Sequence, residues 1–589
     1  MKQHSFLTAL CLLLAAVPIT GQTIKSSMEF APSEHWVKPV EKPYREEICL
    51  NGTWAFAPVQ LPVGFKEGET PAPALPGVNE VTFSKTPIRI PSPWNVNSFA
   101  DKNGLGGDHR TYPSYPKEWE SIKMGWLQKK FTVPASWKGK RIQIHFEAVA
   151  GKTDIYVNGK AVGDNFDIFM PFDIDITDAV KFGQENTLNV GIQKSSLFDD
   201  RKSPLGRRTY QGGSFWGQHI AGIWQDVYLV ALPQTRVADV YIQPIVNKNT
   251  LEVEVTLRND ENKPVEVNIS AAAYPWISKA GKTVLTAANP SSQLGSQAAL
   301  QMPTQKVTIP AGKEIKTTLK TTVDNKLKLW SPSSPNLYGL VVKTSVNGKT
   351  NDSKYTRFGW RQTELKDGKF WLNGKPFVLK GDSWHYMGIP QMTRRYPWAW
   401  YTALRDANCN AVRLHAQPFP SFYLDVADEM GILVLDESAM WASDGGQKLG
   451  SEEFWKCSEE HMKQLVLRDR NHPSVFGWSV SNEIMPIIRG VMRNAPGLED
   501  NLVKHFKIWS DICFKYDPSR AWASADGEDD GRGLLPFYMV HYGGEGAMKR
   551  AYESGKPWGV GEACNAYYGT PEQVSNAAKD GGRAYRSFE

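Results

Sequence analysis

Two glutamates stand where paired carboxylates could do chemistry. Glu483 closes the run Val475-Phe-Gly-Trp-Ser-Val-Ser-Asn482, and Glu562 closes Trp558-Gly-Val-Gly561. The first run is β-branched and aromatic with small residues between, which suits a strand buried on both faces, and the second reads as a further strand. A buried strand that ends in a carboxylate needs a reason, because desolvating a charge is costly. A carboxyl with a raised pKa keeps a proton available near neutral pH, which makes Glu483 a candidate general acid/base. Two carboxyls facing each other suit glycoside hydrolysis: one protonates the leaving oxygen and the other attacks the anomeric carbon. A separation of about 5–5.5 Å gives retention of configuration. Taken alone, either glutamate is explained as well by helix capping or a salt bridge.

The elements that must position these residues begin near residue 362. Strand-like and helix-like stretches alternate from there. Strands are predicted at 377–381, 411–414, 432–437, 475–483, 521–525, 537–542 and 558–562, and helices at 398–407, 422–430, 452–469 and 498–516. Gly431 and the pair Asp517-Pro518 are stop signals. Polar residues collect at the strands' C-terminal ends, as in a (β/α)₈ TIM barrel, whose active sites lie at that face. Seven strands are counted. After Glu562 there is room for a helix near 571–580 and little else, so residues 362–589 read as a barrel lacking its last β/α unit. An open barrel leaves an unpaired edge, which natural proteins avoid, so a longer parent protein is the expectation.

Upstream the grammar is all-β. Asp154-Ile-Tyr-Val-Asn-Gly-Lys160 is a strand, an Asn-Gly turn and the start of the next strand. With Ile142-Gln-Ile-His-Phe and Trp224-Gln-Asp-Val-Tyr-Leu-Val230, residues 22–234 read as a jelly-roll sandwich. Residues 235–361 read as an immunoglobulin-like sandwich of about seven strands. Residues 287–305 are rich in Ala, Ser, Gln and Pro and predict a surface loop. The fold class is therefore multidomain β plus α/β. A chain of 589 residues, 41% hydrophobic and 22% charged, fits three soluble domains. The net charge of +6 is not gathered into a basic arm, so no nucleic-acid partner is expected. Residues 1–21 resemble a signal peptide, with Lys2 and His4 before an apolar run too short to span a bilayer. Export to the periplasm or cell exterior is expected, with no membrane span elsewhere. Removing the leader, which holds Cys11, leaves Cys49, Cys409, Cys457, Cys513 and Cys564, without C-x-x-C spacing. Free thiols rather than a disulfide framework or a zinc site are expected. Neither a metal nor another cofactor is predicted, and nothing fixes an oligomeric state.

The residues also resemble glycoside hydrolase family 2, the family of β-galactosidases, β-glucuronidases and β-mannosidases. Leu50-Asn-Gly-Thr-Trp, Tyr156-Val-Asn-Gly-Lys and Gly222-Ile-Trp-Gln-Asp-Val-Tyr-Leu are similar to its sugar-binding domain. Leu329-Trp-Ser-Pro-Ser-Ser-Pro-Asn-Leu-Tyr and Phe358-Gly-Trp-Arg resemble its immunoglobulin-like domain and exit. Asn410-Ala-Val-Arg413, Asp428-Glu-Met-Gly-Ile-Leu-Val-Leu-Asp-Glu437 and Asn471-His-Pro-Ser-Val-Phe-Gly-Trp-Ser-Val-Ser-Asn-Glu483 resemble its barrel signatures. The resemblance implies Glu483 as acid/base, Glu562 as nucleophile and Asn482 as the partner of a sugar 2-hydroxyl. Tyr542 would orient the nucleophile, with Tyr538 the fallback. His385 and Arg413 match strand-end positions, and His415 stands where the family often has a Ser-His-Tyr-Pro run. Asp436 is assigned a supporting role, and Trp441 and Trp478 walls of the sugar pocket. The implied activity is exo-acting, retaining hydrolysis of terminal β-linked sugars in an oligo- or polysaccharide, galactosidase-like first. Uronic acid, mannose or sulfated glycan substrates are the alternatives on the same fold. A non-catalytic carbohydrate-binding protein is the alternative of another class. The stretch 438–446 lacks the Glu-x-His of a magnesium site.

Overall fold

The computed structural model describes residues 36–562 apart from 69–70, 96–114, 201, 204–205, 211, 214–216, 218, 279–291, 387, 389–390, 442–445, 491, 493–494 and 526–530. The expected leader, Cys11, Cys564 and the helix expected near 571–580 lie outside the described residues. Among the described residues no helix is long and apolar enough to cross a membrane. The four described cysteines outside the leader, Cys49, Cys409, Cys457 and Cys513, are free thiols.

The first domain is an antiparallel sandwich. One sheet orders Glu46–Cys49, Val227–Leu232, Arg141–Phe146 and Phe172–Asp175; the other has six strands, with Met124–Thr132 and Glu185–Gln193 at its centre. The Asn-Gly signal is a two-residue turn, with φ of 53° at Asn158 and 81° at Gly159. Trp54, Phe56, Trp94, Ile144 and Val190 are among the alternate residues that fill the space between the sheets. The second domain sets Thr235–Ile245, Thr250–Asn259 and Glu314–Thr322 against a sheet built on the long strand Val265–Ser278. Two pieces of the expected 287–305 loop are paired instead: Ser292–Leu294 and Leu300–Gln301 are antiparallel to that strand. Main-chain pairing there overrides a composition that favours loops.

The third domain supplies seven parallel strands, numbered here β1 (Gly381–Trp384), β2 (Ala411–Leu414), β3 (Leu433–Glu437), β4 (Val475–Asn482), β5 (Ala521–Ala525), β6 (Tyr538–His541) and β7 (Trp558–Glu562). Strands β1 to β5 form one sheet, and β6 pairs with β7. The helices are α1 (Arg395–Asp406), α2 (Phe422–Met430), α3 (Glu452–Asp469), α4 (Ile484–Gly490), α5 (Leu498–Tyr516) and α6 (Glu545–Glu553). Gly431 ends α2 in the left-handed region at φ 74°, where a side chain would be strained.

The first strand lies later than the sequence predicts. Residues 375–376 pair back on Lys369–Leu372, and the N–H of Phe377 donates to the carbonyl of Phe370 at 2.9 Å. Phe377 and Leu379 are thereby drawn under the barrel beside Trp330. The parallel strand starts only at Gly381, where an added Cβ would fall 2.5 Å from the Ala411 carbonyl oxygen.

The domains are riveted by buried charge. Arg45 bonds both oxygens of Asp352 at 2.9 and 2.7 Å. Arg357 of the second domain reaches Asp425, Asp428 and Glu429 around α2. His472 Nδ1 lies 2.7 Å from Asp428 Oδ2. Removing Arg357 leaves Asp425, Asp428 and Glu429 close together with His472 and Arg394 left to offset them. Arg357→Met is therefore expected to destabilise the protein by about 3 kcal/mol, read as a lower midpoint in urea. A midpoint equal to the parent's would show that the cluster is solvated enough to dispense with its arginine.

Candidate active site

The strands' C-terminal ends bring together residues from six of the seven strands. Glu483 follows β4 with φ of 53°, and its N–H is held by the Ala525 carbonyl at 2.8 Å. Tyr542 follows β6 with φ of 51°, and its N–H is held by the Glu562 carbonyl at 2.8 Å. Two non-glycine residues in the left-handed region at one barrel mouth mark a place where surroundings, not intrinsic preference, dictate the backbone.

Glu562 is the hub. Its Oε1 accepts from Arg413 Nη2 and lies 3.2 Å from His415 Nε2 and 3.8 Å from His541 Nδ1. Its Oε2 accepts from the Tyr542 hydroxyl. Burial alone would raise this carboxyl. The hydrogen bond with His415 and the charges of Arg413, His541 and His415 outweigh burial and hold it far below the usual carboxylate range. Glu562 is thus an ionised, aimed carboxylate. His385 stacks edge-on against His415, with ring centres 4.0 Å apart. Burial, then the neighbouring His415, pushes it down to about 2, so it is neutral at ordinary pH.

Arg413 is buried and bonds in two directions. Nη1 donates to Glu437 at 3.3 and 3.1 Å and to Asn482 Oδ1 at 3.0 Å. Glu437 in turn accepts the Ala416 N–H at 2.6 Å and the Ser479 hydroxyl at 2.5 Å. The amide Nδ2 of Asn482 is buried and has no hydrogen-bond partner among the described residues. Glu483 is about a quarter exposed, and its Oε1 lies 3.1 Å from His541 Nδ1. Carboxylate oxygens of Glu483 and Glu562 and a ring nitrogen of His541 lie within 4.8 Å of one another.

Sequence reasoning placed Glu483, Glu562, Asn482, Tyr542, His385, Arg413 and His415 in one cluster, and the structure brings all seven together. Three other assignments are corrected. Asp436 faces away from the barrel axis, because side chains alternate along β3 and Glu437 takes the inward position. Burial, and then the field of Asp469, holds the Asp436 carboxyl well above its usual range on the helix side of the sheet. Trp478 is fully buried, and its Nε1–H donates to Asp517 at 3.1 Å, so it packs among the helices and walls no pocket. Tyr538 begins β6 in register with Trp558, at the opposite end from the site. Trp441 bridges to Asn482, beside the site. Glu437 and His541 were missed. The acid pair at the end of β3 signalled the first, and the residue before Tyr542 could have signalled the second.

Two described groups set three carboxylate or histidine ligand atoms within 4.8 Å: Glu483, His541 and Glu562, and Asp425, Asp428 and His472. In both, an arginine already supplies the positive charge: Arg413 in the first and Arg357 in the second.

Arg413 is the main fixed charge on Glu562, so removing it must raise that carboxyl. Glu562 binds a proton only at very low pH while the arginine is present. Arg413→Met is expected to move the acid limb of kcat/KM to higher pH and to lower the plateau. An acid limb that stays in place would show that Arg413 does not set the charge of Glu562.

Seven described parallel strands, five in one sheet and two paired with each other, lie behind two β-sandwiches and carry an acidic pair at their C-terminal ends; this is the class of multidomain TIM-barrel proteins with a paired-carboxylate site. Residues 48–233 match the model of the glycosyl hydrolases family 2 sugar-binding domain, 235–361 that of glycosyl hydrolases family 2, and 363–520 that of the family's TIM barrel domain. The chain belongs to glycosyl hydrolases family 2. A β-galactosidase of Thermoanaerobacter pseudethanolicus is 29% identical over 427 residues, covering 70% of this chain and 50% of that protein. A putative β-glucuronidase of Formosa agariphila is 27% identical over 451 residues, covering 74% and 47%. The chain spans about half the length of these relatives. The Bacteroides uniformis β-glucuronidase structure superposes with a TM-score of 0.67 at 19% identity, over 87% of this chain and 58% of that one.

Proposed function

We propose that the protein is a retaining β-glycosidase acting on terminal β-linked sugars, with galactosides the first choice of substrate. The observation that carries this reading is the close approach of Glu483 to Glu562, within 4.8 Å between carboxylate oxygens. That spacing belongs with the pair of a double displacement, not with the wider pair of about 6.5–9.5 Å that leaves room for an attacking water.

In the first step the ionised Glu562 attacks the anomeric carbon while Glu483 gives its proton to the leaving glycosidic oxygen. In the second, Glu483 takes a proton from water, the water oxygen bonds to the anomeric carbon, and the Glu562 carboxylate leaves. Tyr542 and Arg413 hold the attacking carboxylate by charge-assisted hydrogen bonds. The unpartnered Nδ2 of Asn482 is placed to donate to a hydroxyl beside the anomeric carbon. No cofactor enters this scheme. An uronide is the second reading, supported by the names of the Formosa and Bacteroides uniformis proteins.

The test is hydrolysis of an aryl β-glycoside panel: galactoside, glucuronide, mannoside and glucoside. Cleavage of one member with retained configuration is the expected result. Inversion, or silence of the folded protein across the panel, would overturn the proposal.

A further inference from the structure

His461 of α3 is buried between two domains. Its Nδ1 lies 2.6 Å from Asp167 Oδ2, on the first-domain loop between Lys160–Asn165 and Phe172–Asp175. Its Nε2 lies 3.0 Å from the backbone nitrogen of Ala439, two residues past β3. A backbone N–H can only donate, so Nε2 carries the lone pair and the ring proton sits on Nδ1, donated to Asp167. The carboxylate therefore selects the tautomer, and the tautomer holds the amide. Asp167 is itself pinned, since its Oδ1 accepts the N–H groups of Phe169 and Met170 at 2.8 and 3.0 Å.

Ala439 is gripped on its other side too. Its carbonyl accepts the N–H of Gly213, another first-domain residue, at 3.2 Å. An added Cβ on Gly213 would lie 2.7 Å from Gln417 Cβ, so Gly213 itself lies hard against the barrel wall. From Ala439 the chain is laced along the end of β4. The Ser438 N–H donates to Ser479 at 3.0 Å and the Ser438 hydroxyl to Val480 at 2.6 Å. The Asn482 N–H donates to the Met440 carbonyl at 2.8 Å. The next residue is Glu483, whose left-handed backbone persists only while its neighbours over-determine it.

We propose that Asp167 and His461 are positioning residues: through Ala439, Met440 and Asn482 they let the first domain set the place of the Glu483 carboxyl. This rests on the glycosidase reading above. Neither residue touches the reacting atoms. Its consequence is selective, since misplacing Glu483 harms proton donation, while Glu562 keeps its own holds from Arg413, His415 and Tyr542.

Asp167→Asn tests this without changing shape. The asparagine still accepts from Phe169 and Met170 but turns an N–H group toward the ring. The ring must then accept on Nδ1 and carry its proton on Nε2, where it faces the Ala439 N–H, donor against donor. His461→Ala removes the link altogether. In both variants kcat/KM for the phenyl glycoside of the sugar the parent cleaves is expected to fall about ten- to a hundredfold. For the 2,4-dinitrophenyl glycoside, whose leaving group needs no proton, kcat/KM should be little changed. The double variant should lose no more than the worse single one. Equal losses on both glycosides, additive losses or no loss would overturn the proposal while the parent's activity kept the glycosidase reading intact. An inert parent would overturn both. If His461→Ala does not fold, the isosteric Asp167→Asn decides alone.

Discussion

Glu562→Gln is expected to lower turnover by at least about 10⁴-fold while sugar binding persists. Glutamine keeps the shape of the side chain and an oxygen for the Tyr542 hydroxyl. It removes the electron pair that would bond to the anomeric carbon. Arg413 loses one partner but keeps Glu437 and Asn482, so the site should not collapse. The loss should fall on kcat, because the covalent bond to Glu562 exists only from the transition state onward. In the parent protein, a 2-deoxy-2-fluoro glycoside with an activated leaving group should label the peptide that carries Glu562. Near-normal turnover by Glu562→Gln, or a label on another peptide, would remove Glu562 as the nucleophile. The structure supports the role through charge. A carboxylate this buried would ordinarily prefer a proton, and only the convergence of Arg413, His415 and His541 keeps it ionised.

The elements that place this site were legible because their signals are local. Helix α2 stops at Gly431 and α5 at Asp517-Pro518; both ends could be read from breaking residues. The ends of β4 and β7 were legible because a polar residue interrupts an apolar run. What the sequence concealed depends on which way a side chain faces. Asp436 and Glu437 are adjacent acids at one strand end, and only the register of β3 against β2 decides that Glu437 meets Arg413. On sequence Trp478 is a candidate wall of the sugar pocket. Its place in β4 turns it toward α5 and Asp517 instead. The late start of β1 was hidden for another reason. Phe377 to Leu379 have the composition of a strand, yet packing on Phe370 and Trp330 draws them under the barrel. His461 lies in a helix with ordinary amphipathic spacing, and its partner Asp167 is almost three hundred residues earlier. No local pattern could join them.

The second large effect is expected at Glu483, and it should differ with the substrate. Glu483→Ala removes the proton that a poor leaving group requires. For an alkyl or phenyl glycoside kcat/KM should fall about 10²–10⁴-fold, the usual contribution of a positioned acid. For a 2,4-dinitrophenyl glycoside the first step needs no proton, so kcat/KM should stay near the parent's. Its kcat should nonetheless fall, because the second step has lost the base that activates water. The glycosyl-enzyme then accumulates, which lowers KM along with kcat. Added azide, a nucleophile that needs no base, should restore kcat for the activated substrate and leave the poor one unrescued. Equal losses for both substrates would mean that Glu483 holds the site together without moving a proton. The left-handed backbone at Glu483 makes the distinction worth drawing. Alanine in the same conformation keeps the backbone bond to Ala525 and removes only the carboxyl. A leaving-group-dependent loss therefore reports the carboxyl alone, in contact with His541 on one side and facing Glu562 on the other.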